Sequence, residues 1–189
     1  MTEIALTPSQ TSGPYLEIGL IGGPTSNHLV DDSDRRAIRI SGLLIDGAGD
    51  PVPDGMIEIW QANAAGRYAH PADDREEIPV EEEFTGFGRS ATDGTGRFAF
   101  VTVKPGRVPW ADGRLQAPHL LVGVFARGLL KRVATRMYFP DEEAANAEDP
   151  VLVGLEPEER ARLVARAEEG ELRFDVVLQG RGQTTFFAV

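Results

Sequence analysis

Residues 116–128, QAPHLLVGVFARG, read as a β-strand with two unlike faces. Successive side chains of an extended chain point to opposite sides. Leu120, Val122, Val124 and Ala126 therefore share one face, and His119, Leu121, Gly123, Phe125 and Arg127 share the other. The first face is suited to a core. The second carries a histidine at one end and an arginine at the other, turned the same way. His119 is open to three readings: a metal ligand, a core residue or a remnant. Arg127 is either a solvated strand-end cation or a fork for a two-pronged, charge-assisted hydrogen bond to a carboxylate.

The pattern repeats outward from this strand. Residues 37–46, AIRISGLLID, read as a strand stopped by GAGDPVPDG, and 56–63, MIEIWQAN, as another ended by the turn AAGR. The acidic run ADDREEIPVEEE (72–83) reads as a solvated loop. Residues 88–106 are expected to form a hairpin turning at Asp93-Gly94-Thr95-Gly96, with Phe98 and Phe100 on one face. Residues 129–139 form a further strand after a tight turn at Arg127-Gly128. One helix is expected, over 156–170, with Pro157 in its first turn, acids near its start and Gly170 at its end. Residues 172–180 and 184–189 close the chain as strands, and residues 1–36 look irregular. Seven or more short strands with one short helix and long loops predict an all-β sandwich or barrel.

A chain of 189 residues suits one domain with a substantial core. Its net charge of −11 repels nucleic acid and anionic lipid, which excludes both as partners, and an anion site must rest on locally placed arginines. With no cysteine, disulfides, thiolate metal sites and cysteine nucleophiles are ruled out. No signal-like or membrane-length apolar run is present, so a soluble, cytoplasmic protein is expected. Neither a G-x-S-x-G elbow nor a phosphate loop occurs.

The imidazoles are His28, His70 and His119. A sandwich metal site built on H-x-H needs a second histidine at 121, where this chain has Leu121. Tyr68 and His70 in GRYAHP offer a phenol and an imidazole. At the N-terminus, TSGPY (11–15) is either a frayed end or an arm laid against a partner's pocket. Gly13 permits close backbone approach there and Pro14 stiffens the segment.

Six segments, in order along the chain, carry a resemblance: TPSQTSGPYLEIGL (7–20), IEIWQANAAGRY (57–68), GFGRSATDGTGRFAFVTVKPG (86–106), APHLLVGVFARG (117–128), TRMYF (135–139) and RFDVVLQGRGQTTFF (173–187). Together they resemble the intradiol ring-cleaving dioxygenases, in the branch built from homologous α and β chains. The resemblance implies a β-sandwich and one Fe(III) held by two tyrosines and the two histidines of an H-x-H strand. The reaction it implies opens protocatechuate between its hydroxyls with O2 to 3-carboxy-cis,cis-muconate, a step of aromatic catabolism in the β-ketoadipate pathway. In this branch the β chain carries the iron, and αβ units form a higher assembly.

Matched residue by residue, Tyr68 falls on the first tyrosine ligand and Val108 on the second. His119 falls on the first histidine, Leu121 on the second, and Gln116 on an assisting arginine. Val and Leu offer no lone pair, so the resemblance implies a chain with no metal and no catalytic residue of its own. It further implies that Thr11, Gly13, Pro14 and Arg127 complete the substrate pocket around the partner's iron. Residues 1–36 would then be an arm packing on the partner chain, and 37–189 the sandwich domain. Two rivals stand beside this: a scaffold that only stabilises the assembly, and a self-sufficient enzyme using Tyr68, His70, His119 or His28 in an unusual site.

Overall fold

A computed structural model describes residues 6–13, 15–23 and 26–188. After a short helix α1 (Tyr15–Leu20), the chain forms β1 (Ala37–Ile45), β2 (Met56–Trp60), β3 (Phe87–Ala91), β4 (Arg97–Val103), β5 (His119–Phe125) and β6 (Val133–Tyr138). Helix α2 (Glu143–Glu148), a 3-10 turn (Leu152–Gly154) and α3 (Pro157–Ala161) follow. The described chain ends with β7 (Arg166–Glu168), β8 (Glu171–Arg173) and β9 (Val176–Val177). One sheet runs β4-β1-β8-β7, with β9 also pairing β1, and the other runs β3-β2-β5-β6. The result is the expected sandwich.

The core lies between the two sheets because each presents one alternating apolar face to it. Leu120, Val122 and Val124 of β5 and Ile57 and Ile59 of β2 meet Ile40 and Leu44 of β1 and Phe98 and Phe100 of β4, all of them buried. Each such side chain contributes about 1.5–3 kcal/mol of burial free energy. Phe98 and Phe100 share a face as expected, with ring centroids 6.2 Å apart in a T-shaped contact. Because β5 is an inner strand, held by β2 and β6, its core face leaves the opposite face as the floor of whatever covers it.

Residues 88–106 depart from the expected hairpin. The Asp93–Gly96 turn forms, with the Asp93 amide donating to Arg97 O at 2.9 Å and the Gly96 amide to Asp93 O at 2.9 Å. The turn, however, passes the chain from one sheet to the other: β3 pairs with β2, and β4 pairs with β1 over seven residues. Turn residues dictate a local reversal but not a strand's partner. Burial of Phe98 and Phe100 between the sheets, together with Thr92 Oγ1, which accepts from the Gly55 amide and donates to Val52 O, separates the two strands.

The expected 156–170 helix is also much shorter. Its start is as read, with Pro157 in the first turn, and the Glu156 amide donates to the Glu159 carboxylate in a capping box. It stops at Ala161 because the next residues are needed elsewhere. The Tyr138 amide donates to Leu163 O at 2.8 Å and the Ala165 amide to Tyr138 O at 3.0 Å, with Leu163 fully buried. Gly170 does not end a helix but turns the β7–β8 hairpin, with Glu169 at φ 49° and Gly170 at φ 86°. Of the terminal strand expected at 184–189, the described residues form a single bridge, Ala134 to Phe187. The short helices α1 and α2 were not anticipated; neither shows a long amphipathic period.

Gly42 marks where the first sheet tolerates no side chain. A Cβ there would overlap the Phe174 carbonyl oxygen and lie 2.5 Å from Phe98 Cζ. Gly42→Ala is expected to destabilise the fold by about 1–3 kcal/mol, the usual cost of overpacking. Gly154→Ala, which meets open space, should change little. Urea unfolding midpoints of the two variants check this.

Candidate functional site

On the outer face of the β3-β2-β5-β6 sheet, register brings Phe87, Trp60, Leu121 and Arg136 into one row across four strands. Beside it runs a second row of Arg89, Glu58, Gly123 and Ala134, and His119 sits opposite Tyr138. Two long loops fold over these rows. The loop after β2 places Tyr68 flat on Trp60, with centroids 5.9 Å apart and planes 6° apart, and His70 edge-on to the same ring. The loop before β5 brings in Val108, Trp110 and Gln116.

Three positions named from sequence, Tyr68, Val108 and Gln116, line one cavity together with Trp60 and His70. Leu121 lies half-buried on the other side of Trp60. Burial pushes the Tyr68 phenol above its ordinary pKa, so it stays protonated. Val108 is buried. Gln116 is buried too, donating its amide NH2 to Pro109 O and accepting at Oε1 from Arg136 Nη1 at 2.7 Å.

His119 is 4% exposed and packs on Tyr138, with ring centroids 5.6 Å apart. Burial first, and then the Arg136 charge, lowers its pKa from 6.5 to about 4. The ring is therefore neutral. Its Nδ1 lies 2.8 Å from Ala117 O, and since a carbonyl only accepts, Nδ1 carries the proton and Nε2 the lone pair.

This donor set does not fit an Fe(III) ion. Tyr68 and His119 can ligate, but Val108 and Leu121 have nothing to donate. No group of three or more His, Asp or Glu placed for a metal is found among the described residues. Of the other histidines, His70 is exposed and accepts from the Ala72 amide, while His28 lies 3.5 Å from Asp32 and bridges Val101 of the other sheet. His28 is thus not part of this cleft.

Sequence reasoning passed over Arg136 and Asp149. The fully buried Asp149 carboxylate accepts from the Ala117 amide, the Tyr138 hydroxyl and the amides of Val151 and Leu152, which pins the entry to β5. Its partners lie up to 32 residues away, so nothing local to the sequence pointed to it.

The second group of named residues lies at the far end of β5, about 20 Å along the strand from His119. Thr11 Oγ1 accepts from the Gly128 amide at 2.7 Å, and Thr11 and Gly13 line a groove with Phe125 and Leu130. Pro14 lies outside the described residues. Arg127 is 75% exposed, with Nε 3.1 Å from Asp54 Oδ2. Tyr15 and Leu130 are exposed apolar side chains lining the same groove. Thr11, Gly13 and Arg127 thus share one end of the molecule, apart from the Tyr68–His119 cleft.

A family described as "Dioxygenase" matches residues 22–180. The chain is 42% identical over 205 residues to the protocatechuate 3,4-dioxygenase alpha chain of Burkholderia cepacia, covering all of both chains. It is also 38% identical over 157 residues to the beta chain from that organism, covering 78% of this chain and 66% of the other. Among solved structures, the dioxygenase domain of a dioxygenase carbohydrate-binding fusion from Streptomyces sp. SirexAA-E superposes with a TM-score of 0.60 at 24% identity, over 92% of this chain and 99% of that one. That last likeness establishes the fold alone.

The buried imidazole has a measurable consequence. Between pH 6.5 and about 4 the unfolded chain binds a proton at this histidine that the folded chain refuses. Its contribution to stability is complete above pH 6.5 and is lost as pH falls through that window, by about 3 kcal/mol in all. His119→Gln should remove this part of the acid sensitivity while leaving the carboxylate-driven loss below pH 4, as read from urea midpoints across pH 7.5–3.5.

Proposed function

This chain belongs to the intradiol ring-cleaving dioxygenase family, and we propose that it is the α subunit of a protocatechuate 3,4-dioxygenase. A homologous β subunit holds the Fe(III). The αβ pair opens protocatechuate with O2 to 3-carboxy-cis,cis-muconate, and αβ units build a higher assembly. The observation that carries this reading is identity along the full length of an α chain, combined with Val108 and Leu121 at two of the four ligand positions.

In this reading residues 1–36 are an arm on the partner and 37–189 the sandwich domain. Thr11, Gly13, Pro14 and Arg127 complete the partner's pocket. Arg127 exchanges its exposed contact with Asp54 for the ring carboxylate of protocatechuate. A surface ion pair of this kind is worth about 0–1 kcal/mol, so the exchange costs little. The Gly13–Pro14 backbone packs beside the ring. Among the described residues no helix is long and apolar enough to cross a membrane. The assembly works in the cytoplasm, without nucleic acid or membrane as partner.

One observation favours a second reading. Arg127 already has a carboxylate partner in its own chain, which a pure scaffold would leave in place. Arg127→Ala in the reconstituted complex separates the two. A pocket role predicts a rise of about 10- to 100-fold in KM for protocatechuate and little change for catechol, which lacks the carboxylate. Unchanged kinetics for both substrates would favour the scaffold. Iron analysis of the purified chain alone should find far less than one Fe per chain, and stoichiometric iron with a red tyrosinate band would overturn the assignment of iron to the partner.

A further inference from the structure

We propose that the outer-face cleft of this chain is itself a binding site, without catalysis, for a planar aromatic carboxylate. The cleft encloses about 680 Å3, within the range of small-molecule sites. Its walls are Trp60, Phe87 and Trp110, and its floor is Leu121 and Gly123. Flat apolar surfaces around a gap favour a ring, which stacks or meets them edge-on. Leu121, in removing a lone pair, adds apolar floor to this space.

The charge of the ligand follows from two arginines. Arg132 and Arg136 flank Ala134 on the β6 side, and the small middle side chain leaves the gap between them open. Arg132 passes close over Gly123, where an added Cβ would lie 3.0 Å from Arg132 Cδ. Arg136 is half-buried over the Trp110 ring at 5.8 Å and bonds only neutral acceptors, Gln116 Oε1 and the Tyr138 hydroxyl. The cleft's own carboxylate, Glu58, is held by Arg89 at 2.7 Å, so neither Arg132 nor Arg136 has a carboxylate partner among the described residues. A cation partly withdrawn from water, with a carboxylate no nearer than Asp149 behind the Tyr138 hydroxyl, favours an anion over a neutral guest. Aromatic walls with paired cations along one side select an aromatic acid.

The site does not involve Arg127, although Arg132 also borders the Thr11–Gly13 groove, and its readout comes from the full chain without a partner. The chain has only two tryptophans, Trp60 and Trp110, and both line this cleft. Titration with benzoate should quench their fluorescence saturably, whereas random collisions would give a linear, non-saturating loss. Benzyl alcohol, of similar shape but uncharged, should bind at least about tenfold more weakly.

Arg132→Gln alters an exposed side chain that the fold does not need and should weaken benzoate binding about tenfold. Arg136→Gln should do the same. Because it also removes contacts to Gln116 and Tyr138, Ala134→Leu provides a separate check by filling the gap while leaving both charges in place. The absence of saturable quenching up to about 10 mM benzoate would overturn the proposal, that limit lying beyond the weakest affinities ordinarily called specific. Equal binding of benzyl alcohol, or wild-type affinity in Arg132→Gln, would do so as well.

Discussion

The pleat of β5 is the constraint on which the rest depends. Leu120, Val122 and Val124 are buried in the core, and a one-residue slip would exchange them for His119, Leu121 and Gly123. Pairing with β2 on one side and β6 on the other fixes that register twice. The outer face of the strand is therefore fixed in register with the core beneath it. Whatever chemistry occurs on that face is decided by which side chains stand at 119, 121 and 123.

On this floor, two apolar side chains set the character of the cleft. A valine at 108 and a leucine at 121 are ordinary buried or half-buried apolar residues, and both pack well where they stand. His119 keeps its place because its Nδ1 proton is satisfied by Ala117 O and its ring by Tyr138. Gln116 is likewise absorbed, bridging Pro109 and Arg136. These side chains are held by packing and hydrogen bonding, and the cleft remains open beside them.

Much of the fold was legible because strand periodicity is local. β1, β2, β5 and β6 fall where alternation placed them, and Phe98 and Phe100 share the face expected of them. The failures share one cause. The 88–106 turn and the 156–170 helix start both carry correct local signals, but the partner of β4 and the end of α3 are set by distant residues: Leu163 and Ala165 leave the helix to pair with Tyr138. At the site, Tyr68, Val108, His119 and Leu121 could be named from sequence, whereas Arg136 and Asp149 could not, since their partners lie far off in the chain.

The sequence by itself determined the sandwich, the missing H-x-H and the two dissimilar ends of β5, because each is written in residue type and period-two spacing. Only the tertiary structure decided that β3 and β4 belong to different sheets, that Arg127 rests on Asp54, and that Arg132 and Arg136 line an aromatic cleft with no carboxylate in direct contact with either among the described residues. The physical reason is that alternation assigns a side chain to a face, while strand order and loop closure decide which other side chains share it. Burial, charge pairing and the space left between groups are properties of that shared surface.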